Sequence, residues 1–260
     1  MIKFEIDPKR LIDMIRMGLV NGSLNEVCAV FNPTEVILSD ITKGTIGSYA
    51  VFNKSYFKTY EVDVPNQKVI FRKGLIAGLS DLGFTSEETV IVNMDDKAEK
   101  MYVTSPLGKK WDAILSTDAN TKQITFGLER IAGVGILPAD KSRVKNYHSK
   151  IPVKLLTDNL AKAEKVTFVP KGTDILVKMS YDGDYEGKIT LKPEDILIPA
   201  DPEKPREYTL FVEYLRSIIA NFTENVHVVL YDLAMITTSE GKTKENLDYI
   251  LMYFCSTSSQ

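Results

Sequence analysis

One order of elements occurs twice in this chain, and it restricts the fold more than any single motif does. A helical stretch followed by alternating strands opens each half, and a second helix followed by strands comes later in each half. The first helical stretch is "DPKRLIDMIRMGLVNG". Asp7 can cap it, Pro8 suits its first position, and Leu11, Ile12, Ile15 and Leu19 recur at helical spacing before Gly22 ends it. "RKGLIAGLSDLGF", from Arg72 to Phe84, predicts a short second helix with Ile76, Leu79 and Leu82 inward. "IPVKLLTDNLAKAEKV" predicts a third on Leu156, Leu160 and Ala163. "YTLFVEYLRSIIANF", from Tyr208 to Phe222, predicts a fourth on Phe211, Leu215, Ile218 and Ile219. Most of the rest is short β-rich runs such as "NEVCAVFN", "TVIVNM" and "NVHVVLYD", separated by turn formers such as "PKGTD" and "SEGKTKEN". Many short strands with few helices predict an α+β chain with antiparallel sheets. Identity between the halves is poor, so the repeat is one of pattern.

A chain of 260 residues accommodates two domains of about 130 residues each. The join lies in "GLERIAGVGILPADKSRVKNYHSKIPV", which loses its strand alternation and crosses a proline and a charged patch. The expected organisation is an N-terminal domain over 1–130, a connecting loop over 131–146 and a C-terminal domain over 147–260. The connector is too apolar for a solvated tether. Some of Ile131, Val134, Ile136 and Leu137 should pack back onto the body or build a site.

The formal charge of −3 excludes a generally basic surface that grips nucleic acid indiscriminately. Cys28 and Cys255 sit in apolar strand-like runs and read as buried thiols in a reducing compartment. No secretory leader and no membrane-length apolar run is evident, so a soluble intracellular protein is expected. Candidates for chemistry are poor. His148 and His227 are the two histidines, and His227 alternates with apolar residues like a sheet residue. Asp95 and Asp96, and Asp182, Asp184 and Glu186, read as hairpin loops and lack the spacing of a cation-binding loop. No metal-ligand spacing or phosphate-cradling glycine loop occurs. No catalytic residue, metal or cofactor is expected. An unrecognised two-domain α+β enzyme is the alternative from a different class.

Three segments, in this order, resemble the PCNA family of DNA sliding clamps, and the likeness covers nearly the whole chain. The first is the opening "FEIDPKRLIDMIRMGLVNGSLNEVCAVFNPTEVILSDI". The second is the connector with "GILP". The third is the end, "LFVEYLRSIIANFTENVHVVLYD" followed by "LDYILMYF". The resemblance implies two similar clamp domains, with helices on an inner face and antiparallel sheets outside. It implies a processivity factor at replicating DNA. Such a factor encircles duplex DNA without reading sequence, tethers polymerase and other replication and repair enzymes, relies on a clamp-loader ATPase, and self-associates into a ring expected to be a trimer. Its inner helices would attract phosphates diffusely, through Lys9, Arg10, Arg16, Arg72, Lys73, Lys154, Lys162, Lys165 and Arg216. Its clients would dock short motifs in an apolar pocket beneath the connector, mapping onto Ile41, Val134, Ile136, Leu137, Met235, Leu251 and Tyr253. Ring closure would pair edge strands, "KQITFGL" and "GKITLKP" by position.

The chain departs from the family pattern in three respects. Helices two and four are thin in positive charge, with Glu213 where the family has arginine. The tail "CSTSSQ" lacks the usual proline and acidic end. The segment around Trp111 is longer than expected, and either caps the first domain or modifies the subunit contact. The weak charge makes a viral processivity factor, or one subunit of a heteromeric clamp, the alternative within this resemblance.

Overall fold

The computed structural model describes residues 1–41, 45–83, 88–95, 97–116, 127–140, 145–160, 163–181, 185–193, 195–201, 203, 206–232, 234–243 and 246–257. Two compact units form. The first comprises Met1–Thr42, Ser48–Ile124 and Glu240–Leu251, and the second Lys43–Gly47, Thr125–Ser239 and Met252–Gln260.

In the first unit, β1 (Ile2–Ile6) buries Ile2, Phe4 and Ile6 on one side by strict alternation. Asp7 then turns the chain into α1 (Pro8–Gly18), its Oδ1 accepting from the backbone N–H of Lys9 at 2.7 Å and of Arg10 at 3.2 Å. Leu11, Met14, Ile15 and Gly18 form the buried stripe of α1, while Ile12 is only half-buried. Gly18 is small of necessity, since a Cβ there would lie 2.5 Å from Leu38 Cδ2. The strands β2 (Glu26–Asn32), β3 (Glu35–Asp40), β4 (Ile46–Asn53) and β6 (Gln67–Arg72) pair antiparallel in the order β4-β3-β2-β6. The other sheet runs β5-β1-β7-β8-β9, with β5 (Thr59–Val62), β7 (Val90–Met94), β8 (Lys100–Thr104) and β9 (Lys110–Ile114). An aromatic cluster of Phe4, Phe31, Phe57 and Phe71 fills the core, with centroid separations of 5.0 to 6.3 Å. The second helix, α2 (Lys73–Asp81), buries Leu75 and Leu79; Ile76, expected inward, is half-exposed, and Arg72 belongs to β6. Arg72 is held in the ladder opposite Glu26, so the helix begins one residue later than the sequence pattern predicts.

The second unit begins with a hairpin of β10 (Leu128–Ile131) and β11 (Gly135–Pro138), so much of the irregular connector is paired strand. The strands β12 (Lys145–Pro152), β16 (Asp195–Ile198), β18 (Asn225–Tyr231) and β19 (Ala234–Thr243) follow the order β16-β12-β18-β19. A separate sheet runs β15-β14-β13-β17, with β13 (Lys165–Lys171), β14 (Asp174–Tyr181), β15 (Tyr185–Leu191) and β17 (Tyr208–Phe211). Val153 and Leu156 of α3 (Val153–Asn159) are buried, as are Leu160 and Ala163 just beyond it. The fourth helix is shorter than its sequence pattern predicts. Tyr208–Phe211 is strand, paired with Lys165–Phe168, and α4 spans Val212–Ile219. Phe211 is therefore 45% exposed and not a core anchor, and Val212 takes its place beside Leu215, Ile218 and Ile219. The backbone of Phe211 is extended (φ −75°, ψ 127°) because its ladder partners continue to the helix start.

Chain order repeats closely. From β1, the sequence of elements among the described residues is one strand, a helix, five strands, a helix and three strands. The same succession restarts at β12 and closes with β20 (Asn246–Ser256), once short 3-10 turns are set aside. Residues of β19 and β20 contribute to both units. No helix among the described residues is long and apolar enough to cross a membrane.

Candidate DNA-contact, client-docking and edge-strand sites

The basic residues sort by what already occupies them. Lys9, Lys73 and Lys154 are exposed on or at the start of helices. Arg16 is exposed on α1, 3.9 Å from Asp13 one turn earlier. Arg10 is committed to the fold. Its Nη2 donates to Asp248 Oδ2 at 2.8 Å, its guanidinium lies 4.2 Å from the Tyr56 ring centroid, and the Tyr56 hydroxyl donates to its carbonyl at 2.9 Å. Burial raises the Tyr56 phenol far above its ordinary range, so the hydroxyl stays a donor. Arg72 pairs with Glu26 at 3.3 Å from β6.

Lys165 opens β13 and does not continue the third helix, which ends at Asn159; its ammonium lies 5.5 Å from the Phe211 ring centroid. Arg216 reaches back from α4 to the carbonyl of Leu160 at 2.9 Å, at the C-terminal end of α3 where a cation is favoured, and to that of Ala163 at 3.4 Å. Lys162 lies outside the described residues.

Among the apolar candidates, Ile136 and Leu137 are 5% and 1% exposed, and Met235, Leu251 and Tyr253 are buried. Val134 and Ile41 are half-buried. Ile41 and Leu251 belong to the first unit, the others to the second. The hairpin is clamped by its backbone. The Ile136 N–H donates to Thr238 Oγ1 at 2.9 Å, in a buried contact. Gly135, at φ 129°, passes so close that a Cβ would lie 2.1 Å from the same oxygen.

Sequence reasoning missed β9. Among the described residues it ends one side of its sheet, as β15 ends its own. "GKITLKP" supplies much of β15, whereas 122–126 of "KQITFGL" lie outside the described residues. Beside β9 runs a groove of about 520 Å³ lined by Ile70, Leu75, Trp111 and Ile114, among others. Ile114 is 84% exposed. The alternation of "KWDAI" was the available signal, masked by the lysines and glycine before it. Trp111 packs on α2, where a Cβ on Gly78 would meet its Cζ2 at 2.8 Å.

The acidic loop at Asp95 is structural. Its Oδ1 accepts from the N–H of Glu99 at 2.7 Å and of Lys100 at 3.2 Å, closing the β7–β8 turn. Asp96 and 182–184 lie outside the described residues.

No protein-family model and no curated protein sequence matches the chain. Solved structures do. A. fulgidus PCNA bound to the C-terminal region of FEN-1 shares 10% identity at a TM-score of 0.74, over 100% of this chain and 99% of that one. PCNA from Thermococcus kodakaraensis shares 14% at 0.73, and the PCNA2–PCNA3 complex from Sulfolobus tokodaii 12% at 0.72, each over 99% of this chain and 100% of the other. From end to end, this chain has the fold of the PCNA sliding clamps.

Proposed function

We propose that the protein is a sliding clamp that holds replication and repair enzymes on duplex DNA and has no catalytic activity of its own. The observation that carries this reading is the likeness to clamp structures over 99–100% of the chain. Two further features support it. Among the described residues β9 and β15 end their sheets, a place suited to pairing between copies, and exposed Ile114 and the adjoining groove give the first of them an apolar margin. The buried "GILP" hairpin supports a client site at the connector, since one of the similar structures is a clamp bound to the C-terminal region of FEN-1.

Contact with DNA falls to Lys9, Arg16, Lys73 and Lys154 before Arg10 and Arg216, whose guanidinium groups serve the fold. A diffuse attraction through few cations suits sliding, because base readout would stop it. The thin charge on α2 and α4, with Glu213 exposed on the latter, favours a heteromeric ring as the second reading; one similar structure is a complex of two different clamp chains.

Solution mass by light scattering across a dilution series tests both. About three times 29.2 kDa supports a self-sufficient trimer. A persistent monomer overturns it and selects the heteromeric reading. Retention on nicked circular DNA, lost on linearising it, then tests encirclement, with a loader ATPase supplied. Equal retention on both forms refutes it.

A further inference from the structure

The chain's two histidines meet across neighbouring strands of the second unit. His148 Nε2 lies 3.2 Å from His227 Nδ1, with ring centroids 5.4 Å apart. They are 5% and 7% exposed. One nitrogen must carry the shared proton and the other accept it, so the pair is satisfied with both rings neutral. An added proton creates a cation where water is excluded.

At His148 the charges that act on the ring do not relieve it. Lys145 and Lys150 lie on β12, with Lys145 opposite Tyr231 and Lys150 opposite His227. On β16 the facing residues are Ile198, Ile196 and Asp195, and Asp195 is engaged 3.9 Å from Lys150 while 65% exposed. On β19 the residue opposite His227 is the neutral Thr238, and the same face continues to Glu240. On the hairpin, Glu129 and Arg130 are exposed. Burial first, then His227 and Lys145, lower His148 to about 4.

The pair shares a sheet face with the seat of the connector. His148 stands opposite Val229, and His227 is two residues from Val229 and opposite Thr238, so His148, His227 and Thr238 project from one side. Thr238 is the residue whose Oγ1 accepts from Ile136 and against which Gly135 lies without room for a Cβ.

We propose that His148, seated against His227, is a pH-operated latch for the β10–β11 hairpin, which is released from the Thr238 face when the His148 ring takes up a proton beyond the one shared with His227 and must regain water. His148 rehydrated by opening titrates near 6.5, above its value in the closed form, so the open form binds more protons. Opening is therefore favoured as pH falls below about 6.5, by up to roughly tenfold per unit, until the closed form itself titrates. The latch stands on this geometry alone. Its consequence, that acidification alters client docking at the connector, rests on the clamp reading.

The test is amide exchange of the full chain at pH 7.5 and 5.0, corrected for chemical exchange rates, comparing 128–138 with the β13–β14 hairpin over 165–181. At least tenfold loss of protection at pH 5.0 in 128–138 alone is expected, and the loss disappears in the double variant His148→Gln, His227→Gln. An unchanged hairpin, equal loss in both hairpins, or a pH effect that survives the double substitution overturns the latch. Should the double variant not fold, the imidazole resonances of the wild type decide. Titration of His148 near 6.5, uncoupled from the hairpin signals, overturns it; depressed titration of His148 coincident with hairpin opening supports it. None of these readouts depends on DNA or clients, so failure of the clamp reading is seen separately, in the mass and retention experiments.

Discussion

Arg10 of α1 and Asp248 of β20 lie 2.8 Å apart, and the side chain of Asp248 is 1% exposed while that of Arg10 is 35% exposed. A carboxylate so far from water needs its counter-charge more than the arginine does. Arg10→Met removes that counter-charge. The substitution is expected to lower unfolding free energy by roughly 2–3 kcal/mol, below the fully buried range because Arg10 is partly solvated. Adding Asp248→Asn should restore part of the loss. Urea denaturation measures both, and a cost below about 1 kcal/mol would show that the pair is incidental. Loss of DNA retention in Arg10 variants is therefore confounded with folding, whereas Lys9→Glu tests charge cleanly.

Gly135 meets two constraints at once, a φ of 129° and an approach that leaves no space for a Cβ beside Thr238. Gly135→Ala is expected to detach the hairpin without unfolding the unit. Thr238→Val removes the acceptor of the Ile136 N–H while keeping shape, and the unsatisfied donor costs about 1–3 kcal/mol. Both variants should speed exchange over 128–138 at neutral pH. Wild-type protection there in Gly135→Ala contradicts the clamped geometry.

At Gly78, two effects oppose each other. Alanine in a helix interior is favoured over glycine by about 1 kcal/mol, but the new methyl would stand 2.8 Å from Trp111 Cζ2. The contacted atom is the far edge of a half-exposed side chain on an edge strand, so the ring swings outward and the backbone stays. Gly78→Ala should change stability by no more than about 1 kcal/mol while shifting tryptophan emission to the red. Trp111 is the sole tryptophan, so the signal has one source. Unaltered emission would mean that α2 moves instead.

Burial pushes the Cys255 thiol up to about 12, and Cys28 is buried and in no disulfide. The thiolate is the reactive form, so a disulfide reagent at pH 8 should label neither cysteine in the folded protein and both in denaturant. Rapid labelling of one equivalent under native conditions would show that β2 or β20 opens readily.

The sequence determined the class of fold by itself. Strict alternation in "IKFEI" and the Asp7–Pro8 start of α1 are signals written within a few residues, so each is legible without the rest of the chain, although the ladder partners of the strand are distant. The duplicated order of helices and strands was legible for the same reason. What the tertiary structure decided was partnership. Tyr208–Phe211 has a helical continuation in sequence but becomes strand because Lys165–Phe168 supplies its ladder. "KWDAI" becomes an outer strand because β8 pairs one side of it. Arg10 reads as a surface cation until a carboxylate 238 residues away claims it. Hydrophobic period and capping report a residue's own backbone state, whereas hydrogen-bond partners, buried charge and steric room are properties of pairs far apart in the chain. Those pairs assign Arg10 and Arg216 to the fold, leave Lys9, Lys73 and Lys154 at the surface, and bring His148 beside His227.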